Sequence, residues 1–171
     1  LYFLPEGWKG AFVLKSAKLV LFTVMALTLS AATSFAQSGT FKGFEGAWSG
    51  TGTVSLSDGS TERIRCRASY RSDAEGNHLK QTLRCASDSY KFDLSSDVTS
   101  QAGTLTGTWG EASRNINGNL QGRAGAGRIS VFVEAAGFAA NLSIVTRGAR
   151  QTVTISSQGE IRGVLITLVK G

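Results

Sequence analysis

The sequence predicts an all-β protein, an antiparallel up-and-down β-barrel of about 8–10 strands preceded by an N-terminal signal helix. Three observations predict this fold. From residue 46 onward, short segments alternate apolar and polar residues with a period of two. Turns rich in Gly, Ser, Asn and Asp separate these segments at intervals of about 8–12 residues. No part of this region has the 3.6-residue period of a helix, and closing a long meander into a barrel removes its sheet edges.

The first 36 residues have the organisation of a secretory signal peptide. Lys15 and Lys18 precede the apolar run 19–29, and small residues follow as far as Ala36. A basic segment, a short apolar core and a small-residue cleavage site are typical of such a leader, and the run is shorter than the ~20 residues of a spanning helix. We therefore predict cleavage after Ala36 and a periplasmic or secreted protein that does not span the membrane after cleavage.

The segments flanking the leader complete the domain organisation. The only methionine, Met25, lies inside the apolar run, so we expect residues 1–12 to come from an over-extended gene model. Residues 37–45 are mostly small and polar and predict a flexible lead-in to one barrel domain at 46–171. The net charge of +6 is modest and its cations are dispersed, which argues against nucleic acid as a partner.

The first three strands are the best defined by pattern. The strand 46–56 places Trp48 and every second residue after it on one face, with Ser and Thr on the other. Strands 61–71 and 78–86 follow, joined by a tight turn centred on Glu75 and Gly76. That turn sets a register in which inward residues face inward residues. The predicted pairs are Cys66 with Cys85, Ala68 with Leu83, and Tyr70 with Gln81.

The two cysteines predict a disulfide. They are the only cysteines in a chain predicted to be exported, and the register places them face to face. Neither a CxxC spacing nor companion His and Cys residues supports a redox pair or a metal site.

Seven further strands continue the alternation. The tenth is almost continuously apolar, which predicts that both of its faces are covered. The GRAGAG stretch at 122–127 joins two strands and is a hairpin turn rather than a phosphate loop, which requires a following helix. The predicted strands are 90–98, 104–109 and 115–124, a seventh through Ile129 and Val133, an eighth through Phe138 and Ile144, a ninth through Val153 and Ile155, and the tenth at 161–169.

Many inward positions are glycine, and two interpretations fit them. Glycine lets strongly coiled strands bend at barrel corners; alternatively, the missing side chains leave a cavity that suits a small hydrophobic ligand. The inward glycines are Gly50, Gly52, Gly107, Gly118, Gly122 and Gly163. The residues predicted to line such a cavity are Trp48, Tyr70, Phe92, Trp109, Leu120, Val131 and Leu142.

A row of cations follows the outward faces of the second and third strands. The predicted register opposes Arg67 to Arg84 and Arg71 to Lys80, and like charges opposed across a ladder are destabilising. Two interpretations remain: a solvated face relieved by Asp93 and Asp97, or a docking surface for an anionic envelope component or an acidic partner protein. The anionic-surface candidates are Arg63, Arg65, Arg67, Arg71, Lys80 and Arg84.

The sequence offers little for catalysis. The only histidine, His78, lies at a hairpin with no nucleophile beside it, and the carboxylates fall mostly in turns or on outward positions. A general base needs a neighbouring nucleophile or a second titratable group. We therefore predict that the protein is not an enzyme and has no catalytic residues, metal site or cofactor.

The first strand carries a family resemblance. Gly46-Ala47-Trp48, followed by Gly50 and Gly52, resembles the G-x-W opening of the calycin group, which includes lipocalins, fatty-acid-binding proteins, avidins and nitrobindin-like barrels. The resemblance implies that Trp48 closes the base of the barrel and that Arg162 stacks over it, which adds Arg162 to the interior candidates. Nitrobindin-like proteins hold haem through a His late in the chain, whereas this chain has only His78.

Two functions follow from this resemblance and the predicted interior. The first is an exported, non-enzymatic protein that binds a small apolar ligand inside the barrel. The alternative is a protein-interaction module, since periplasmic inhibitors of secreted proteases are also small calycin barrels with a G-x-W start and one disulfide. A cavity favours the first function, and a filled interior with a projecting N-terminal arm favours the second.

Overall fold

The period-two alternation produces ten antiparallel strands. The computed structural model describes residues 39–171, and the predicted signal helix and cleavage site lie outside the described residues. The strands are β1 (Gly46–Leu56), β2 (Thr61–Ser72), β3 (His78–Ala86), β4 (Lys91–Gln101), β5 (Thr104–Glu111), β6 (Ile116–Gly125), β7 (Arg128–Ala135), β8 (Phe138–Arg147), β9 (Arg150–Ser157) and β10 (Ile161–Lys170).

The strands form a closed up-and-down barrel, which confirms the predicted fold class. Each strand pairs with its neighbours in sequence, and β10 pairs with β1 to close the sheet. In the described part of the chain there is no helix that is long and apolar enough to cross a membrane. Both chain ends of the barrel and the β2–β3, β4–β5, β6–β7 and β8–β9 turns lie at one end, which we call the base. The other five hairpin turns lie at the opposite end, which we call the mouth.

The predicted register of β2 and β3 is confirmed. Cys66 lies opposite Cys85, and the two are joined by a disulfide with Cα atoms 4.1 Å apart. Both side chains are buried. The pairs Ala68 with Leu83 and Tyr70 with Gln81 also form as predicted. The disulfide therefore ties together adjacent strands on the inner face of the barrel.

The inward glycines mark places where neighbouring backbones approach closely. A Cβ atom at Gly50 would lie 1.9 Å from the carbonyl oxygen of Thr167, and one at Gly118 would lie 1.9 Å from that of Glu134. An added Cβ atom would also lie within 2.4 Å of a main-chain oxygen at three further positions, Gly52, Gly107 and Gly122. These contacts favour the interpretation that glycine permits strand coiling.

Gly163 departs from the prediction that it faces inward. It pairs with Ser55, whose side chain points outward, and a Cβ there would be 3.6 Å from its nearest neighbour. The register of β1 against β10 shifts between Ser55 and Leu56. This irregularity moves Gly163 to the outer face, which simple alternation does not reveal.

The outer face of β10 also departs from the prediction that both faces are covered. Leu165 is 53% exposed and Val169 is 47% exposed, whereas Val164, Ile166 and Leu168 are buried. No other element of the described region covers the outside of the barrel, so only the inward half of this apolar strand is buried.

The base is filled by part of the predicted lead-in. Residues 40–44 form a turn, and the side chains of Phe41 and Phe44 are buried. The backbone N–H of Phe41 donates to the carbonyl of Gly76 at 2.8 Å, and the hydroxyls of Thr40 and Ser100 are hydrogen-bonded at 2.7 Å. This turn is therefore attached to the β2–β3 and β4–β5 ends of the sheet.

Candidate functional site

Two apolar cavities adjoin inside the barrel. The base cavity has a volume of about 120 Å³ and extends down to Phe41; the mouth cavity has a volume of about 230 Å³ and extends up to Tyr90, Arg114 and Glu160. Five side chains line both cavities, so the two spaces are neighbours along the barrel axis. The shared residues are Leu83, Leu94, Trp109, Phe138 and Ile155.

An aromatic pair stands where the two cavities meet. The ring centroids of Trp109 and Phe138 are 5.5 Å apart, with the planes tilted by 53°. The indole N–H of Trp109 donates to the carbonyl oxygen of Glu134 at 3.3 Å, which fixes the orientation of that ring. Phe138 has no such polar anchor, and both side chains are half-buried. The two rings therefore form part of the lining between the two spaces.

The rim of the mouth cavity is aromatic and charged. The rings of Tyr90 and Phe92 are stacked with centroids 6.2 Å apart, and the guanidinium of Arg114 lies 5.2 Å above the Phe92 ring. The Tyr90 hydroxyl donates to a carboxylate oxygen of Glu160 at 3.2 Å. Arg114 and Glu160 are exposed, so this end of the cavity meets solvent through groups of opposite charge.

Glu111 is a buried carboxylate that holds the β5–β6 hairpin next to this rim. It accepts backbone N–H donors from Asp93 at 2.9 Å, Ser113 at 3.2 Å and Arg114 at 2.7 Å. Burial opposes its ionisation, but these hydrogen bonds outweigh burial and lower the pKa of Glu111 below its ordinary value. Its donors belong to the hairpin and to β4, so the carboxylate secures the framework of the mouth.

One polar pair interrupts the apolar lining of the base cavity. Gln81 and Ser96 face each other across β3 and β4, and the Ser96 hydroxyl donates to the Gln81 side-chain oxygen at 3.1 Å. Both residues line the cavity and both are half-buried. The pair therefore presents hydrogen-bonding atoms deep in an otherwise aliphatic and aromatic space.

The predicted interior residues separate into two groups. Phe92 lines the mouth cavity, Trp109 lines both cavities, and Leu120, Val131 and Leu142 line the base cavity. Trp48 and Tyr70 line neither cavity. They are buried in the base with Phe41 and Phe44, which the sequence prediction did not include.

The base cluster is fully packed and its polar atoms are paired. The indole N–H of Trp48 donates to the carbonyl of Phe44 at 2.8 Å, and the Trp48 and Tyr70 rings meet edge to face at 6.4 Å. The Tyr70 hydroxyl donates to the side-chain oxygen of buried Gln151 at 2.6 Å, and Gln151 donates to Thr146 at 3.1 Å. Burial raises the pKa of Tyr70 far above its ordinary value, which keeps the hydroxyl protonated.

Arg162 does not occupy its predicted place. It is exposed at the mouth end of β10, where its guanidinium donates to the carbonyl of Gln158 at 2.9 Å. The cation over the Trp48 ring is Lys170, with its Nζ atom 5.6 Å from the ring centroid. The reason is the antiparallel pairing of β1 and β10, which puts Trp48 opposite Lys170 and leaves Arg162 at the other end of the barrel.

The outward cations lie opposite one another as predicted, but carboxylates neutralise those of β3 and not those of β2. Arg67 lies opposite Arg84, and Arg71 lies opposite Lys80. Asp93 pairs with Arg84 at 3.2 Å and Asp97 with Lys80 at 3.8 Å, so β4 relieves the cations of β3. Among the described residues, no carboxylate lies within ion-pairing distance of Arg63, Arg65, Arg67 or Arg71 on β2.

The remaining titratable groups form no further cluster in residues 39–171. No group of three or more His, Cys, Asp or Glu side chains in that range is placed to hold a metal ion. His78 lies on the outer face at the start of β3 and contacts Asp97. It is therefore separated from both interior cavities by the barrel wall.

Comparison with known proteins identifies the fold. No family model matches the chain, and no curated protein matches its sequence. The structure of Rv2717c from M. tuberculosis is similar, with a TM-score of 0.61 at 11% identity, covering 76% of this chain and 94% of that one. The fold is that of a calycin-like barrel. The S-type phycobiliprotein lyase CPES from Guillardia theta is also similar, with a TM-score of 0.54 at 11% identity, covering 77% of this chain and 90% of that one.

The second of these similarities corrects the prediction that the protein is not an enzyme. The Guillardia protein is a lyase by name, and its fold is similar to that of this chain. The sequence-based prediction is wrong because it took the lack of a recognisable nucleophile–base pair or second titratable group as sufficient to exclude an enzyme.

Proposed function

We propose that this protein is exported and binds a small apolar ligand in the barrel interior, which the ligand enters through the mouth. The observation that carries the proposal is the pair of adjoining apolar cavities between Phe41 and the exposed rim at Glu160. Together their volumes fall at the low end of the roughly 300–1,000 Å³ typical of ligand pockets. The base is closed by packed aromatic side chains, so the mouth is the route into the interior.

The lining defines the chemistry of the proposed ligand. Burial of an apolar molecule against Leu120, Val131 and Leu142 is driven by removal of its surface from water, at about 25 cal/mol per Å². Gln81 and Ser96 supply one site for a polar group of the ligand at the inner end. The rim residues Arg114 and Glu160 supply polar contacts at the outer end. The ligand class is therefore a mostly hydrocarbon molecule with a small polar group.

Two further observations support the proposal at a coarser level. The Cys66–Cys85 disulfide is characteristic of an oxidising compartment such as the periplasm or the extracellular space. The similarity to a protein named as a phycobiliprotein lyase is compatible with a barrel that receives a small molecule. The alternative of an interaction module acting through an N-terminal arm gains no support from residues 40–44, because Phe41 and Phe44 pack into the base instead of projecting.

A paired substitution tests the interior as the binding site. Val131→Phe adds bulk inside the base cavity, whereas Val145→Phe adds the same bulk on the outer face of β8. We expect a fluorescent fatty-acid probe to bind the native protein and Val145→Phe alike, and Val131→Phe at least about tenfold more weakly. Thermal melting of both variants checks that the fold is retained.

Extraction of the purified protein with organic solvent, followed by mass spectrometry, provides an independent test. Recovery of one apolar compound in near-stoichiometric amount supports the proposal. No extracted compound together with no probe binding contradicts it, as does equal probe binding by the two folded variants.

A further inference from the structure

The outer wall of the barrel is electrostatically one-sided. On five adjacent strands, β8, β9, β10, β1 and β2, the outward positions include arginines and no carboxylate. We call these outward positions the basic wall. In contrast, Asp93 and Asp97 lie outward on β4 and Glu134 lies outward on β7. The arginines of the basic wall are Arg63, Arg65, Arg67, Arg71, Arg147 and Arg150, and all are exposed.

The densest part of the basic wall is the β1–β2 ladder. Arg63, Arg65 and Arg67 lie directly opposite Thr53, Thr51 and Ser49 on β1. The arginines therefore have hydroxyl groups on one side and, for Arg67, a second cation, Arg84, on the other. This arrangement presents many hydrogen-bond donors and unneutralised positive charge, and it retains a like-charge contact that destabilises the fold. An anion placed over the ladder would relieve that repulsion.

Apolar side chains lie in the middle of the basic wall. Leu165 and Val169 on β10 are about half exposed, and Val169 is opposite Arg150 on β9 and Ser49 on β1. Val169 thus has Arg150 on one side and, beyond Ser49, Arg67 on the other, whereas Leu165 lies between threonines of β9 and β1, with Arg63 beyond the β1 threonine. Its five strands, about 4.8 Å apart, cover an arc of roughly 20 Å, which is half of the circumference of the ten-stranded barrel.

We propose that the basic wall docks the protein on a lipid bilayer whose headgroups are anionic. Aliphatic side chains among arginines match a surface of phosphate headgroups over an acyl boundary. An acidic protein is the other partner that unneutralised arginines attract, and the vesicle and polypeptide measurements below separate the two. The proposal does not depend on an interior ligand.

Matched double substitutions test the proposal. Arg65→Gln with Arg67→Gln removes two charges from the basic wall. Arg123→Gln with Arg128→Gln removes two exposed charges from β6 and β7, outside the wall. The full chain is used throughout, so that any contribution of the apolar run 19–29 is the same in every protein. Binding is measured by co-sedimentation with vesicles of phosphatidylcholine alone or with phosphatidylglycerol added.

The expected result is tighter binding of the native chain to the phosphatidylglycerol vesicles, weakening as salt is raised. The double variant of Arg65 and Arg67 should bind these vesicles about 25-fold more weakly, because each arginine near an anionic surface contributes about fivefold in affinity. The double variant of Arg123 and Arg128 should lose less than about threefold. Leu165→Ser should weaken vesicle binding without affecting retention on an anionic resin. Thermal melting verifies that each variant is folded.

Three outcomes would overturn the proposal. Equal binding to both vesicle compositions removes the role of anionic headgroups. Equal losses in the two double variants mean that net charge, rather than this wall, drives binding. Binding to an acidic polypeptide as tightly as to the anionic vesicles, with no effect of Leu165→Ser on vesicle binding, points to an acidic protein partner.

Discussion

The two ends of this barrel are built from the same alternating strands but have opposite packing. At the base, Trp48, Tyr70, Phe41 and Phe44 are buried, and the polar atoms of Trp48 and Tyr70 are hydrogen-bonded. At the mouth, Phe92 is only half-buried and borders a cavity of about 230 Å³. Both ends therefore carry aromatic side chains, whereas the degree of filling differs.

This difference shows which structural features close one end. The base has the turn at residues 40–44, which brings two phenylalanines under the strand ends and supplies a carbonyl for Trp48. The mouth has only hairpins, and its charged residues hold hairpin geometry: Glu111 caps the β5–β6 turn and Arg114 covers Phe92. The short segment before β1 thus contributes to stability, and the hairpins leave space inside.

The largest expected effect tests this difference in packing between the base and the mouth. Trp48→Ala should lower the free energy of unfolding by about 4 kcal/mol, because it removes a buried indole from a packed cluster. Phe92→Ala should cost only about 1.5 kcal/mol, because its ring is already half-exposed and borders empty space. Urea denaturation of the two variants measures both values.

Trp48→Phe is the control that separates packing from hydrogen bonding in the same place. It keeps an aromatic ring but loses the N–H donor to Phe44, so an intermediate cost of about 1–2 kcal/mol is expected. A Phe92→Ala variant as destabilised as Trp48→Ala would mean that the mouth is packed as tightly as the base.

The strand framework could be predicted from sequence because it depends on local regularity. The alternation in β1 to β10 located every strand, and the turn at Gly76 together with the two cysteines set the β2–β3 register. The alternation repeats along the chain, so one misjudged residue does not disturb the rest, and the turn and the two cysteines lie close together in sequence.

The site could be predicted only in part because its geometry depends on contacts distant in sequence. Phe41 and Phe44 lie in no periodic segment, and only tertiary contact with Gly76 and Trp48 makes them core residues. Arg162 was misplaced because the antiparallel direction of β10 decides which end of that strand meets Trp48. An inward glycine in the sequence is compatible with either a bend in the strand or a cavity, since both need a position without a side chain.

A second prediction tests whether the inward glycines are needed for close approach of neighbouring backbones. Gly118→Ala should destabilise the barrel by about 3 kcal/mol, because its Cβ would meet the Glu134 carbonyl oxygen at 1.9 Å and backbone would have to shift. Gly163→Ala, with its nearest neighbour at 3.6 Å, should change stability by less than about 0.5 kcal/mol. Thermal and urea unfolding of both variants measure the difference. A Gly118→Ala protein of native stability would show that there is free space between Gly118 on β6 and Glu134 on β7, contrary to the close approach described above.

The smallest effect concerns how the mouth is held open, and it depends on pH. The pKa of Glu111 is lowered in the folded protein from an ordinary value of 4.5, so the unfolded chain binds a proton more readily. Its contribution to stability is therefore present above about pH 4.5 and is lost as pH falls through the lowered pKa. Glu111→Gln should cost about 2 kcal/mol at pH 7, because one carboxylate oxygen accepts from Asp93 and Ser113 and the other from Arg114, and an amide NH2 in place of either oxygen cannot accept. The cost should shrink at acidic pH, as the pH falls through the lowered pKa and Glu111 in the native protein becomes protonated. Glu134→Gln, exposed on the outer wall, is the matched control and should change the unfolding free energy little at either pH.

Urea denaturation of the native protein and Glu111→Gln at neutral and acidic pH measures this convergence. A difference in unfolding free energy that stays constant with pH would mean that Glu111 acts through its shape and packing rather than its charge. Loss of probe binding by Glu111→Gln at pH 7, with no loss for Glu134→Gln, would connect the hairpin carboxylate to the open mouth.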